Sequence, residues 1–155
     1  MTLQHRTKAV PLSRCLLSHF KQIPVVRFHK LAFLCDYAHK DEHGEPISSV
    51  PYRRVLNGCF SESLQEAAES LEPVEIEEIS IKGESIEVFS VEQALECGVK
   101  GDEQETIETV VKDYGAVSED DINRKLRSVF DELDVRFDEE IRLCAEQMTA
   151  SPSVS

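Results

Sequence analysis

The chain of 155 residues has no tryptophan, no CxxC pair and no apolar run approaching the ~20 residues that a membrane-spanning helix requires. A membrane partner is therefore not expected. The six glycines are scattered, and they build neither a Gly-rich phosphate loop nor a dinucleotide fingerprint. Cations are scarce: 17 Lys+Arg stand against 30 Asp+Glu, for a net charge of −13. Phosphate binding needs clustered cations, so the composition argues against nucleic acid as a partner. The opening stretch from Met1 to Lys8 lacks the apolar centre and small-residue cleavage site of a secretory signal. The five cysteines, Cys15, Cys35, Cys59, Cys97 and Cys144, are dispersed and odd in number. Such a set reads as reduced thiols in a cytoplasmic protein.

What is present suits one domain with a real core, since 41% of the residues are apolar. The charge is divided along the chain. Residues 1–60 carry 9 basic and 4 acidic groups, whereas residues 61–155 carry 8 basic and 26 acidic ones. The plain reading of the acidic part is a solvated surface; the sharper one is an electrostatic division of labour.

Periodicity predicts the elements. Residues 1–10 read as a loose polar arm, 11–148 as a single domain and 149–155 as a frayed, disordered tail. A short apolar helical face spans Leu12 to Phe20. A second helix runs from Val25 to Lys40, with Phe28, Leu31, Ala32, Cys35 and Ala38 at helical spacing and Gly44 at its C-terminal cap. Ile47 to Cys59 is irregular or extended. Ser61 caps a third helix through Leu64, Ala67, Ala68 and Leu71. The period then changes to two, and Val74–Ile81 and Ile86–Val88 form a hairpin about Lys82-Gly83-Glu84. One face of it is strongly acidic, and the doubled Glu77-Glu78 marks a bulge or a change of exposed face. Ser90-Val-Glu-Gln93 reads as a capping box opening a short helix that ends at Gly98. A helix from Asp102 to Tyr114, a Ser118-capped helix and a last amphipathic segment at Phe137, Ile141, Cys144 and Met148 complete the chain. The fold class is α+β: a mostly helical single domain with a small antiparallel hairpin or sheet in the middle.

Few residues offer chemistry. Cys35 and His39 share a helix face and, with His43, could form an activated thiolate or part of a zinc site. No fourth ligand can be named, and Cys35 also belongs to the apolar stripe. Neither a metal nor a cofactor is called for. Arg53 and Arg54, beside Tyr52, present two guanidinium forks suited to carboxylate, phosphate or a protein partner. The alternative is a local pair that neutralises the acidic hairpin or helices.

Ordered stretches of the chain resemble a known family. They are Phe28-His-Lys-Leu-Ala-Phe-Leu-Cys-Asp-Tyr-Ala-His39, Gly44-Glu-Pro-Ile-Ser48, Tyr52-Arg-Arg-Val-Leu-Asn-Gly58, the helix from Ser61 to Leu71, Phe89-Ser90 and Ile107-Glu-Thr-Val-Val-Lys-Asp-Tyr-Gly115 followed by Ser118. Together they resemble the Panacea domain of SocA-type antitoxins and related phage-associated proteins, over about residues 11–133. Asn57-Gly58-Cys59-Phe60 keeps only the glycine of the family's usual segment there. The resemblance implies an interaction module without catalytic residues, one that neutralises a cognate toxin protein and in some cases delivers it to a Clp-type protease as an adaptor. Matched motif positions make Asp36, His39, Tyr52, Arg53, Arg54, Asn57 and Gly58 candidate partner contacts. Glu75, Glu77 and Glu78 are candidate contacts for a basic partner on charge alone. A DNA-binding transcriptional regulator is the first alternative, opposed by the absence of a basic helix face. A metal or thiol enzyme using Cys35, His39 and His43 is the second.

Overall fold

The computed structural model describes residues 3–56 and 58–143, with side chains from Ala9 onward. Five helices and six strands follow one another as α1 (Leu3–Leu17), β1 (Gln22–Pro24), α2 (Val25–His43), β2 (Tyr52–Val55), β3 (Gly58–Phe60), α3 (Glu62–Glu69), β4 (Val74–Ile81), β5 (Glu84–Val91), α4 (Gly101–Tyr114), α5 (Glu119–Leu133) and β6 (Glu140–Ile141). The strands form two antiparallel sheets, ordered β1-β5-β4 and β3-β2-β6. The α+β class read from the sequence is therefore the observed one, with a second small sheet added. No helix of the described residues is long and apolar enough to cross a membrane.

The hydrophobic stripe of α2 places this helix at the centre. Phe28, Leu31, Ala32, Phe33, Leu34 and Cys35 are all buried. Edge-on ring contacts join Phe28 to Phe89 of β5 and Phe33 to Tyr52 of β2, at centroid distances of 5.1 and 5.2 Å, so α2 packs against both sheets. Gly44 ends the helix in the left-handed conformation, its N–H donating to the Lys40 carbonyl at 2.8 Å. Ser61 and Ser118 cap α3 and α5, accepting from Leu64 N at 3.3 Å and Asp121 N at 3.1 Å.

Several expectations are corrected. Where a polar arm over residues 1–10 is expected, α1 begins at Leu3, and Ala9 is buried. The proposed tail, 149–155, lies outside the described residues. Cys15 and Cys97 are joined by a disulfide, which overturns the reading of five reduced thiols. The bond ties α1 to the segment between β5 and α4 across 82 positions of sequence, a proximity that no local spacing encodes. Cys35 and Cys59 are free and buried; Cys144 is outside the described residues.

The capping box at Ser90 is not a helix start. Ser90 is the partner of both Gln22 and Glu75, its hydroxyl accepting from Gln22 Nε2 at 3.3 Å. Strand pairing on both sides outcompetes the local helix signal. Residues 92–100 contain neither helix nor strand. In the final segment Ile141 is buried as part of β6, paired with Tyr52, while Phe137 is 58% exposed. A short strand occupies the described part of this segment, and Cys144 and Met148 lie outside the described residues.

The β4–β5 hairpin has no bulge: Val74 through Ile81 pair without a break with Val91 through Glu84. Lys82 and Gly83 both have positive φ, 52° and 83°, as a two-residue turn joining twisted strands requires. The doubled glutamate instead changes the exposed face. Since successive strand residues point to opposite sides, Glu75 and Glu77 lie on one face of the hairpin, and Glu78 lies on the other beside its partner Glu87. The single acidic face expected is thus two.

Candidate functional site

The matched helix–turn motif builds a buried polar junction. Asp36 is fully enclosed, and its carboxylate accepts from Ser48 N at 2.7 Å, Ser48 Oγ at 2.6 Å and Tyr52 Oη at 2.7 Å. Burial pushes the Asp36 carboxyl up to about 6, against these hydrogen bonds, which favour the ionised form. Burial likewise raises the Tyr52 hydroxyl well above its ordinary range, with the Asp36 charge adding to it. His39 donates from Nδ1 to the Glu45 carbonyl at 2.7 Å. These side chains hold the turn after α2 and the start of β2 against the helix. Asp36, His39 and Tyr52 are therefore internal supports, since all three are buried.

The arginine pair divides. Arg54 donates to the Val135 carbonyl at 2.7 Å and stacks 4.8 Å above the Phe130 ring. Arg53 is exposed and donates to the Asp138 carbonyl at 2.8 Å. Both grip the segment leading to β6, a local use different from the expected neutralisation of the acidic hairpin or helices. Asn57 lies outside the described residues.

Gly58 has a different role. Its φ is +130°, and a Cβ there would stand 2.9 Å from Lys30 Cε and 3.2 Å from Lys30 Cγ. The missing side chain makes room for the buried Lys30 stem. Lys30 Nζ reaches Glu119 Oε1 at 2.8 Å, and Arg27 Nη2 reaches Glu119 Oε2 at 2.5 Å. Burial alone would raise the Glu119 carboxyl, but the hydrogen bonds and charges of Lys30 and Arg27 outweigh it and hold it below its ordinary range. The sequence reading missed this triad. Its only signal was a lysine in the most apolar stretch of the chain.

His29 completes the junction between α2 and β3. Ser61 N donates to its Nδ1 at 3.2 Å, so Nε2 carries the proton and donates to Gln65 Oε1 at 2.9 Å. Burial lowers the imidazole to about 4, although the Gln65 hydrogen bond opposes this.

The His39 and His43 rings lie 4.5 Å apart, but Cys35, His39 and His43 do not bring three donor atoms within reach of one ion. Burial and the neighbouring Asp36 charge raise the Cys35 thiol well above its ordinary value, the opposite of an activated thiolate. His39 is held by Glu45, and the His43 ring points to Glu42 and Asp102 at 3.3 and 3.7 Å. Among the described residues the group of carboxylates, thiols and imidazoles close enough to share an ion is Glu75, Glu77 and Glu92, all surface carboxylates without a further ligand.

Among the described residues the surface carries a distinctly apolar concavity. A groove of about 820 Å³ lies between the start of α2, the β2–β3 turn and the distal part of β5. Val26, Leu56 and Phe60 line it and are 48%, 82% and 37% exposed. A second cleft, of about 580 Å³, lies between α2, α4 and α5 and is acidic, with Asp41, Glu42, Glu105 and Asp113 along it.

Residues 28–128 of the chain match a family model described as "Antitoxin SocA-like, Panacea domain". The chain belongs to this Panacea family. The match begins within α2 and ends within α5, so the Asp36 junction, the Lys30–Glu119 pair and the groove residues of β2, β3 and β5 lie inside the Panacea region, whereas Pro24 to Arg27 at the α2 end of the groove lie just before it. The helix α1 and strand β6 lie outside it. No curated protein and no solved structure matches the chain.

Proposed function

We propose that this Panacea protein neutralises a cognate toxin by binding it directly, in the cytoplasm, and that in an adaptor form of the same act the bound toxin passes to a Clp-type protease. The observation that carries the reading is the exposed apolar groove at Val26, Leu56 and Phe60 in an antitoxin-like domain. Binding alone blocks a toxin if it covers the active surface, so the buried and hydrogen-bonded junction around Asp36 serves by fixing shape. The acidic hairpin beside the groove favours a partner with basic surface, because complementary charge speeds encounter. Arg53, Glu75, Glu77 and Glu78 remain partner-contact candidates on the surface.

The test is co-expression with the product of each adjoining gene. One product is expected to arrest growth alone and to be harmless with this protein present. Failure to rescue growth from every one of them overturns the reading. A toxin level that falls only when the Clp protease is present identifies the adaptor form; an unchanged level in a stable complex identifies simple sequestration. Reversal of Glu75 and Glu77 to lysine should weaken rescue separately from reversal of Glu78, because they face opposite sides of the hairpin.

A further inference from the structure

One wall of the apolar groove is an unpaired strand edge. In the sheet β1-β5-β4, strand β1 ends at Pro24, opposite Val88, whereas β4 pairs with β5 as far as Glu84. Val91 N donates across to Lys21 O at 2.8 Å, on the β1 side, and Glu92 N donates to Pro73 O at 2.7 Å, on the β4 side. Backbone groups alternate in direction along an antiparallel strand. Odd-numbered residues of β5 therefore face the β1 side, and beyond Pro24 the N–H and C=O groups of Glu87 and Ser85 have no neighbouring strand. Ser85, Ile86 and Glu87 line the groove, opposite Leu56 and Phe60.

We infer that an extended segment of the partner protein docks here as an added strand on the Glu84–Glu87 edge of β5, in line with β1. Its main chain bonds to Ser85 and Glu87, and alternate apolar side chains enter the groove against Val26, Leu56 and Phe60. The charge of the edge selects the remaining positions. Glu84 and Glu87 are exposed on β5, Glu78 stands opposite Glu87, and among the described residues none of the three forms an ion pair. Glu78 and Glu87 share one face of the sheet, where lysine or arginine at the other alternate positions meets them, and Glu84 lies on the opposite face. The inference deepens the toxin-binding reading and rests on it for the identity of the partner, but not for the chemistry of the segment.

The decisive probe is a short synthetic peptide of alternating valine and lysine, added to the full-length, isotope-labelled protein and followed by amide NMR. The expected result is slowed exchange at the Ser85 and Glu87 amides with shifts at Leu56 and Phe60. A peptide with proline at every lysine position, which cannot pair, should leave them unchanged. Leu56→Asp and Glu87→Lys should each weaken binding by about tenfold, as loss of a central interface contact does; both sites are exposed, so folding is retained. Unchanged Ser85 and Glu87 amides, or equal binding of the proline peptide, overturns the inference. Growth rescue that survives both substitutions also overturns it while leaving neutralisation intact. Peptide binding at this edge without rescue from any adjoining gene product sustains the edge and removes the toxin.

Discussion

Gly58 and Lys30 are fitted to each other: a Cβ at residue 58 would come 2.9 Å from Lys30 Cε, and residue 58 has a φ of +130°. Alanine there meets both backbone strain and a displaced lysine. Gly58→Ala should lower stability by about 1–3 kcal/mol, read as a shift in the denaturant midpoint without a change in slope. An unchanged midpoint would show that the lysine stem moves freely.

The Lys30–Glu119 pair should respond unequally to removal of its two partners. Lys30 is 1% exposed, whereas the Glu119 side chain is 56% exposed and also holds Arg27. Glu119→Ala strands a buried ammonium and should cost roughly 1–3 kcal/mol, less than a fully buried pair because solvent screens this carboxylate. Lys30→Met keeps the volume and removes the buried charge, so its cost should be under about 1.5 kcal/mol. Chemical denaturation of the two variants at neutral pH tests the order.

Asp36 and His29 should pull the pH dependence of stability in opposite directions. The Asp36 carboxyl is raised to about 6, so the native state holds that proton more tightly than the unfolded chain does. Its contribution is fully present below about pH 4 and is lost as pH rises through 6. The His29 imidazole is lowered to about 4, so the unfolded chain binds that proton more tightly, and stability is lost as pH falls from 6.5 to 4. Relative to the wild type, Asp36→Asn should make stability rise more steeply with pH across this window. His29→Gln should do the reverse. Each difference should reach at most about 1.4 kcal/mol per pH unit. Parallel curves for all three proteins would show that neither group titrates as described.

The Cys15–Cys97 bond closes a long loop, its ends 82 positions apart. Its reduction should lower stability by about 2–4 kcal/mol, chiefly by freeing the unfolded chain. Melting with and without a dithiol reductant measures the loss. Alkylation of the denatured protein should label Cys35 and Cys59 without reductant, and Cys15 and Cys97 only with it. Labelling of Cys15 and Cys97 from the start would mean the bond does not form. Such a bond is uncommon in a reducing cytoplasm, so the same measurement on protein taken directly from cells bears on where the protein works.

Local rules carried far along this chain. The apolar spacing in α2, α3 and α5, the serine caps at 61 and 118, the left-handed Gly44 and the Lys82-Gly83 turn each depend on residues within a few positions, and the sequence alone determined them. The ordered motifs also marked the family. The same local rules misread Ser90, whose capping pattern loses to strand partners at Gln22 and Glu75, and they placed Glu75, Glu77 and Glu78 on one face until the unbroken register separated them. Only the tertiary structure decided the rest. Burial turned Asp36 and Tyr52 from contact candidates into supports, joined Lys30 to Glu119 across 89 positions, and paired Cys15 with Cys97. The groove likewise takes its walls from α2, the β2–β3 turn and β5, which meet only when the core closes. Such relationships arise from packing between distant segments, and no periodicity in the chain records them.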